Sequence, residues 1–392
     1  MDEASSYIHK EQHCRNALKK IEFYRHNISS EDKEELLKVL DSIFLTTGDI
    51  TKLFEEKFAQ YINSNFAVGV MSCTHALELA LRYFDIGPGD EVITTPMSFV
   101  ATANVIEYVG AKPVFVDVEK TTGNINANLI EEAITSKTKA IIPVHLYGQI
   151  CDMINIRKIA DRHGLKVIED SAHCVEGVRD DIRPGNLGDA ACFSFYATKN
   201  LTCGEGGAIT CNDVKMYKWL LQARQHGITS DAASRYTKKY VSYDVNFLGI
   251  KCNMSNIQAA LMLHQIDRLD SLHNKRAEIV NLYDKALNDF SNLTILKVLS
   301  NVKHAYHLYT ILVNASKRQS LLHALQEDGV GVAVNYTPIH LMTYYKNKYG
   351  YSIGDFPEAE CIGASTISLP LYPKLNREEI DFVIDKLSKV VF

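Results

Sequence analysis

The sequence lacks the signatures of several large function classes. It contains no G-x-x-x-x-G-K-[ST] phosphate loop, and Gly87-Pro88-Gly89-Asp90 is missing the third glycine of a dinucleotide fingerprint. A nucleotide-hydrolysing or nicotinamide enzyme is therefore poorly supported. The nine cysteines, at positions 14, 73, 151, 174, 192, 203, 211, 252 and 361, form no C-x-x-C pair and no His/Cys spacing that announces zinc. Their odd number and scatter suit reduced thiols in a cytosol. Cys192, between Ala191 and Phe193, reads as a small core residue. No stretch approaches the roughly 20 apolar residues needed to span a bilayer. The polar first twenty residues, with Lys10, Arg15, Lys19 and Lys20, have neither an apolar h-region nor a cleavage site. A cytoplasmic protein without a membrane partner is the expectation. The net charge of −5 offers no footprint for a nucleic-acid backbone. The short basic cluster of Arg235, Lys238 and Lys239 reads as a solvated loop or a contact to a substrate phosphate. Internal repeats and low-complexity segments are absent too.

What is present is an ordinary globular composition, 46% apolar and 23% charged over 392 residues. At about 100 to 200 residues per domain, this length suggests two or three domains, one large and one small. Residues 29 to 62 read as helical, with Ser29 and Ser30 as caps, Glu31, Asp32 and Glu34 at the positive end, and a second helix from about Asp49. From Ala67 short apolar strands alternate with helices. The expected strands are Ala67 to Met71, Glu91 to Thr95, Pro113 to Val118, Lys139 to Val144, Leu165 to Glu169, Ala191 to Phe195 and Gly207 to Cys211. Gly110 and Gly164 suit left-handed helix ends. Strand and helix in turn imply a mostly parallel sheet covered on both faces. After Asp213 the pattern turns helical, with a long segment from about Ser255 to Phe290. The expected division is an N-terminal extension at 1–20, a large domain at 21–270 and a smaller α/β C-terminal domain at 271–392.

An ordered set of residues carries the chemistry. Asp170 ends a buried strand, where ligands of open α/β sheets bind; it can salt-bridge a pyridine nitrogen or simply cap the next helix. His173 follows three residues later, able to lie over a cofactor ring, bond its phenolic oxygen, or serve structure alone. Cys73 and Thr74 lie in Ser72-Cys73-Thr74-His75, which links a strand to a helix. That turn is a ready phosphate site or a plain N-cap. Phe99, after the next strand, can stack on a ring or fill the core. Ser194 alternates with Phe193 and Phe195 and so faces something polar, either phosphate or backbone. Lys199 follows this apolar strand and precedes Gly204-Glu205-Gly206-Gly207. A lysine is by default a surface residue. Here, with a carboxylate and a hydroxyl in order around it, it can hold pyridoxal phosphate (PLP) as a Schiff base. The set calls for no metal.

These motifs, with Gly87-Pro88-Gly89-Asp90-Glu91-Val92-Ile93, Pro143-Val144-His145-Leu146-Tyr147-Gly148, His226-Gly227, Gln258-Ala259-Ala260 and Ser368-Leu369-Pro370-Leu371-Tyr372-Pro373, resemble the DegT/StrS family of PLP-dependent sugar aminotransferases over roughly residues 21 to 390. The resemblance implies the aspartate-aminotransferase type of fold (fold type I) and a homodimer with shared active sites. It implies L-glutamate as amino donor and a nucleotide-linked keto-6-deoxysugar as acceptor, aminated at C4 in preference to C3. In Gly249-Ile250-Lys251-Cys252-Asn253, Asn253 is the implied contact to the partner subunit's cofactor phosphate, with Lys251 near the substrate. Asn335-Tyr336-Thr337-Pro338-Ile339-His340 resembles the family's C-terminal active-site segment, so Tyr336 and His340 are candidate sugar contacts or packing residues. Cys73 stands where many relatives have glycine, and His173 where some have glutamine. A PLP-fold sugar dehydratase is the enzymatic alternative, opposed by Lys199, since such relatives carry histidine there. A non-catalytic PLP-binding regulator or scaffold is the alternative of another class.

Overall fold

The computed structural model describes residues 20–229 and 242–391. The basic cluster at Arg235, Lys238 and Lys239 and nearly all of the 1–20 extension lie outside the described residues. Seven strands, β1 (Phe66–Val70), β2 (Glu91–Thr94), β3 (Lys112–Phe115), β4 (Thr138–Ile141), β5 (Lys166–Asp170), β6 (Ala190–Ser194) and β7 (Gly207–Cys211), form one sheet in the order β1-β7-β6-β5-β4-β2-β3. All pairings from β3 through β6 are parallel; only β7 runs against its neighbours β6 and β1. The strands fall where the alternation predicts, shifted by a few residues at their ends. Lys139 to Val144 is the clearest trimming. Its ladder stops at Ile141 ahead of Pro143, which has no N–H to donate.

β6 is buried along its whole length, as expected of an interior strand covered on both faces. On one face Phe193 and Phe195 meet Phe54 and Phe58 edge-on, with centroids 5.0 to 5.5 Å apart. On the other, Cys192 packs with Ala76, Leu77 and Ala80 of the helix that follows β1. The strand thus pins helices on both sides and leaves Ser194 at its open carboxyl end.

The helical stretch 29 to 62 is two helices, α1 (Ser30–Leu40), closed by a Ser29–Asp32 capping box, and α2 (Asp49–Ile62). The break is held from a distance: Thr47 Oγ1 donates to the Met254 carbonyl at 2.6 Å, and Asn256 Oδ1 accepts from the Thr51 amide at 3.0 Å. After β1 comes α3 (Cys73–Tyr83) and after β2 comes α4 (Ala101–Tyr108).

A second core is built on a three-stranded antiparallel sheet, β8 (Leu293–Ile295), β9 (Tyr309–Val313) and β10 (Thr366–Leu369), in the order β10-β9-β8. The segment expected as one helix from Ser255 to Phe290 is Asn256–Ala260 followed by Leu263–Leu287. The latter contributes Leu263, Ile266 and Leu269 to the first core and Ile279, Val280, Tyr283 and Leu287 to the second. The boundary placed at 270/271 thus falls inside one continuous helix. Ile21, placed by sequence in the large domain, sits in the second core, where it exchanges backbone hydrogen bonds with Gly329 and Gly331. Among the described residues no helix is long and apolar enough to cross a membrane, and no group of His, Cys, Asp and Glu could hold a metal. Their cysteines are all free thiols.

Candidate active site

A cavity of roughly 570 Å³ opens at the carboxyl ends of β5 and β6. This volume suits a bound cofactor with part of a substrate. Two of its walls come from strand ends and one from the start of α3. Ser72 caps α3 by accepting from the His75 amide at 3.2 Å. The first-turn N–H groups of Cys73 and Thr74 have no carbonyl within the helix to bond, so they present partial positive charge to the cavity. The backbone is close there for a sequence reason. A Cβ on Gly207 would lie 2.4 Å from Ser72 C and 2.5 Å from Cys73 N, so only glycine lets β7 approach this turn.

Asp170, 5% exposed, faces the cavity from the end of β5. Its Oδ2 accepts from Thr102 Oγ1 at 2.8 Å and its Oδ1 from the Ala172 amide at 3.1 Å. Because the Thr102 proton goes to the carboxylate, Thr102 must accept from Ser98 Oγ, 2.8 Å away. Burial pushes the Asp170 carboxyl above its ordinary range, and these two hydrogen bonds oppose the shift. A cation placed at the carboxylate would complete it. Cys73 Sγ lies 3.9 Å from Oδ1, and burial pushes its thiol well up, so it is a neutral neighbour.

Lys199 lines the same cavity. Burial lowers its amine from 10.5 to about 8, against a smaller upward pull from Asp170. About a tenth of it is therefore uncharged and nucleophilic at pH 7, against well under a thousandth for an ordinary lysine. Nζ is 3.3 Å from His307 Nε2, and the Tyr24 hydroxyl donates to the Lys199 carbonyl at 3.2 Å. His173 Nδ1 accepts from the Tyr147 amide at 3.2 Å. Its ring proton then sits on Nε2 and is donated to Tyr336 Oη at 3.0 Å. Burial, and then Lys199, hold His173 neutral.

Thus Cys73, Thr74, Phe99, Asp170, His173, Ser194, Lys199 and Tyr336 meet around one cavity although they are scattered over more than 260 positions. Ser194 Oγ faces it as the strand alternation requires, accepting from the Tyr196 amide at 3.3 Å. Three other candidates are elsewhere. Lys251 is exposed and pairs with Gln225, while Asn253 is buried and donates to Thr47 Oγ1 at 2.6 Å. His340 is fully buried against Phe356, with Nε2 3.0 Å from Glu360 Oε1, so its place is in the packing of the fold. The sequence reading missed Thr102 and His307. Thr102 stands one turn after Phe99, and His307 stands two residues before a buried strand; those positions were the only signals.

A donor set of helix N–H groups and a serine hydroxyl for phosphate, a buried carboxylate for a pyridinium and a low-pKa lysine for an aldehyde fits PLP. The comparisons agree. The sequence pattern of the DegT/DnrJ/EryC1/StrS aminotransferase family matches residues 26–388. The spore coat polysaccharide biosynthesis protein SpsC of Bacillus subtilis is 41% identical over 370 residues, covering 93% of this chain and 95% of that protein. A Streptococcus pneumoniae protein described as a sugar aminotransferase, Spr1654, superimposes in its PMP form with a TM-score of 0.90 at 34% identity, covering 95% of this chain and 99% of that one. Its PLP form gives a TM-score of 0.89. Helicobacter pylori PseC, an aminotransferase involved in pseudoaminic acid biosynthesis, gives 0.89 at 30% identity, covering 95% and 99%.

Proposed function

This chain belongs to the DegT/DnrJ/EryC1/StrS aminotransferase family, and from that premise we propose that it moves an amino group from L-glutamate to C4 of a nucleotide-linked keto-6-deoxysugar. The fold is fold type I, the cofactor is PLP, and the enzyme class is sugar aminotransferase. One observation carries the chemistry: an amine held near 8 and a buried carboxylate share a cavity with the free N–H groups of α3.

When bound, PLP supplies the electron sink that loosens a proton on the donor's α-carbon. Residues of this chain do the rest. Asp170, oriented by Thr102, favours a protonated ring nitrogen. Lys199 Nζ, uncharged in part at neutral pH, accepts the proton from the donor's α-carbon and would return it to the carbon on the other side of the transferred nitrogen. Thr74 and Ser194 with the α3 N–H groups bind the phosphate. His173 and Phe99 enclose the ring, and Tyr336 reaches the sugar. Asn253 and Lys251, which lie outside their own chain's cavity, serve the site of a second subunit in a cytoplasmic homodimer.

The test is a panel of nucleotide keto sugars incubated with PLP-loaded protein and L-glutamate. An amino sugar with nitrogen at C4 by NMR, formed with equimolar 2-oxoglutarate, is expected. Deoxysugar release without nitrogen incorporation would convert the reading to a dehydratase. PLP binding with no colour change when glutamate is added would convert it to a non-catalytic PLP binder.

A further inference from the structure

An amine that leaves its covalent link to the cofactor must be held in place, and the cavity provides a partner for it. His307 Nε2 lies 3.3 Å from Lys199 Nζ. The ring is 6% exposed, its Nδ1 is buried with no partner among the described residues, and so Nε2 is the atom engaged. Burial first, and then its titratable neighbours Lys199, His173, Arg276 and His304, keep the imidazole neutral. The His173 and His307 ring centroids are 4.5 Å apart. Toward the ammonium form of the lysine, which has donors and no acceptor, a neutral imidazole can act only as a hydrogen-bond acceptor.

Both ends of this contact are built from one carboxylate. Glu176, fully buried, pairs with Arg276 of the Leu263–Leu287 helix. Its other oxygen accepts from Asn200 Nδ2 at 2.9 Å, and Asn200 is the residue after the lysine. Asn200 and Arg276 also donate to the Ala305 carbonyl, at 3.0 and 3.5 Å, two residues before His307. The His307 amide itself donates to the Tyr147 carbonyl at 3.2 Å. The lysine loop and the segment carrying the imidazole are thus locked in register by groups that never enter the cavity.

We propose that His307 is a further catalytic residue, the acceptor that receives the Lys199 amine whenever that lysine is not linked to the cofactor. No bond forms to His307. The proton taken from the donor carbon stays on Nζ, hydrogen-bonded to Nε2, until Nζ delivers it. The catalytic part of this role rests on the transaminase reading; the pairing of the two residues does not.

The experiment labels the full chain, freed of cofactor, with acetic anhydride from neutral to alkaline pH and follows Lys199 acetylation by peptide mass. The wild-type midpoint is expected near 8. In His307→Leu it should fall by about one pH unit, because the ammonium form loses its acceptor. His307→Gln, whose carbonyl can accept, should restore most of the shift. In the PLP-loaded enzyme the glutamate half-reaction should slow about tenfold in His307→Leu with KM nearly unchanged, and recover in part in His307→Gln. An unmoved midpoint in a folded His307→Leu overturns the proposal. If that variant does not fold, the ¹⁵N spectrum of the histidines decides: the His307 Nε2 resonance must move in Lys199→Met, and an unmoved resonance overturns the pairing. A shifted midpoint in a protein that transaminates nothing would retire the function above and keep the pairing.

Discussion

Thr102 donates its only hydroxyl proton to Asp170 at 2.8 Å, and it is itself fixed by Ser98. The carboxylate assigned to the pyridinium is therefore aimed by a helix residue rather than by its own strand. Thr102→Val keeps the volume and removes the donor. A hydrogen bond to a charged group contributes about 1.5 to 3 kcal/mol, so kcat/KM should fall by roughly ten- to a hundredfold, with faster PLP loss on dialysis. Wild-type kinetics in this variant would show that Asp170 needs no such aim.

Gly207 makes a prediction about cofactor retention. An added Cβ meets backbone atoms of Ser72 and Cys73 at 2.4 and 2.5 Å, and backbone cannot swing aside as a flexible side chain can. Gly207→Ala should therefore displace the α3 start and weaken PLP binding by tenfold or more. Fluorescence titration with PLP checks it, alongside a melting curve. Unchanged affinity would mean that the turn is not the phosphate site.

Most of the sheet was legible in the sequence because its strands are short, apolar and punctuated by glycine and helix caps. Ser194 was legible for a sharper reason: alternation beside Phe193 and Phe195 leaves a hydroxyl only one side to face, and the structure puts it at the cavity. Thr102 and His307 were not legible. Each acts through a contact of 68 or 108 positions in sequence, to Asp170 and Lys199, and no local pattern encodes such a separation. The change of packing partner along Leu263–Leu287 was not legible either, because a continuous helix carries no turn signal where that partner changes.

The buried Glu176–Arg276 pair predicts a stability effect. Removing one partner of a buried ion pair typically costs about 3 to 5 kcal/mol. Glu176→Gln should lower the denaturant midpoint accordingly. Arg377→Gln, at an exposed pair whose side chains are 66% and 52% accessible, should change stability by at most about 1 kcal/mol. Equal effects in urea unfolding would contradict the burial argument.

Lys199 predicts a pH dependence. Its folded-state value of about 8 lies below the ordinary 10.5, so in cofactor-free protein the unfolded chain binds the extra proton between these limits. The penalty of burying the ammonium is complete below about 8 and disappears as pH rises toward 10.5. Lys199→Met should melt higher than wild type at neutral pH, and the gap should close in alkali. A gap independent of pH would mean that the amine is not desolvated.

The helix Leu263–Leu287 feeds both hydrophobic cores without interruption, and Ile21 crosses back to join the second. Dissection at the domain border would cut through regular backbone and leave each fragment with an apolar stripe stripped of its cover. Relative motion of the two cores must therefore bend or slide this rod, since the helix runs from one to the other without a break.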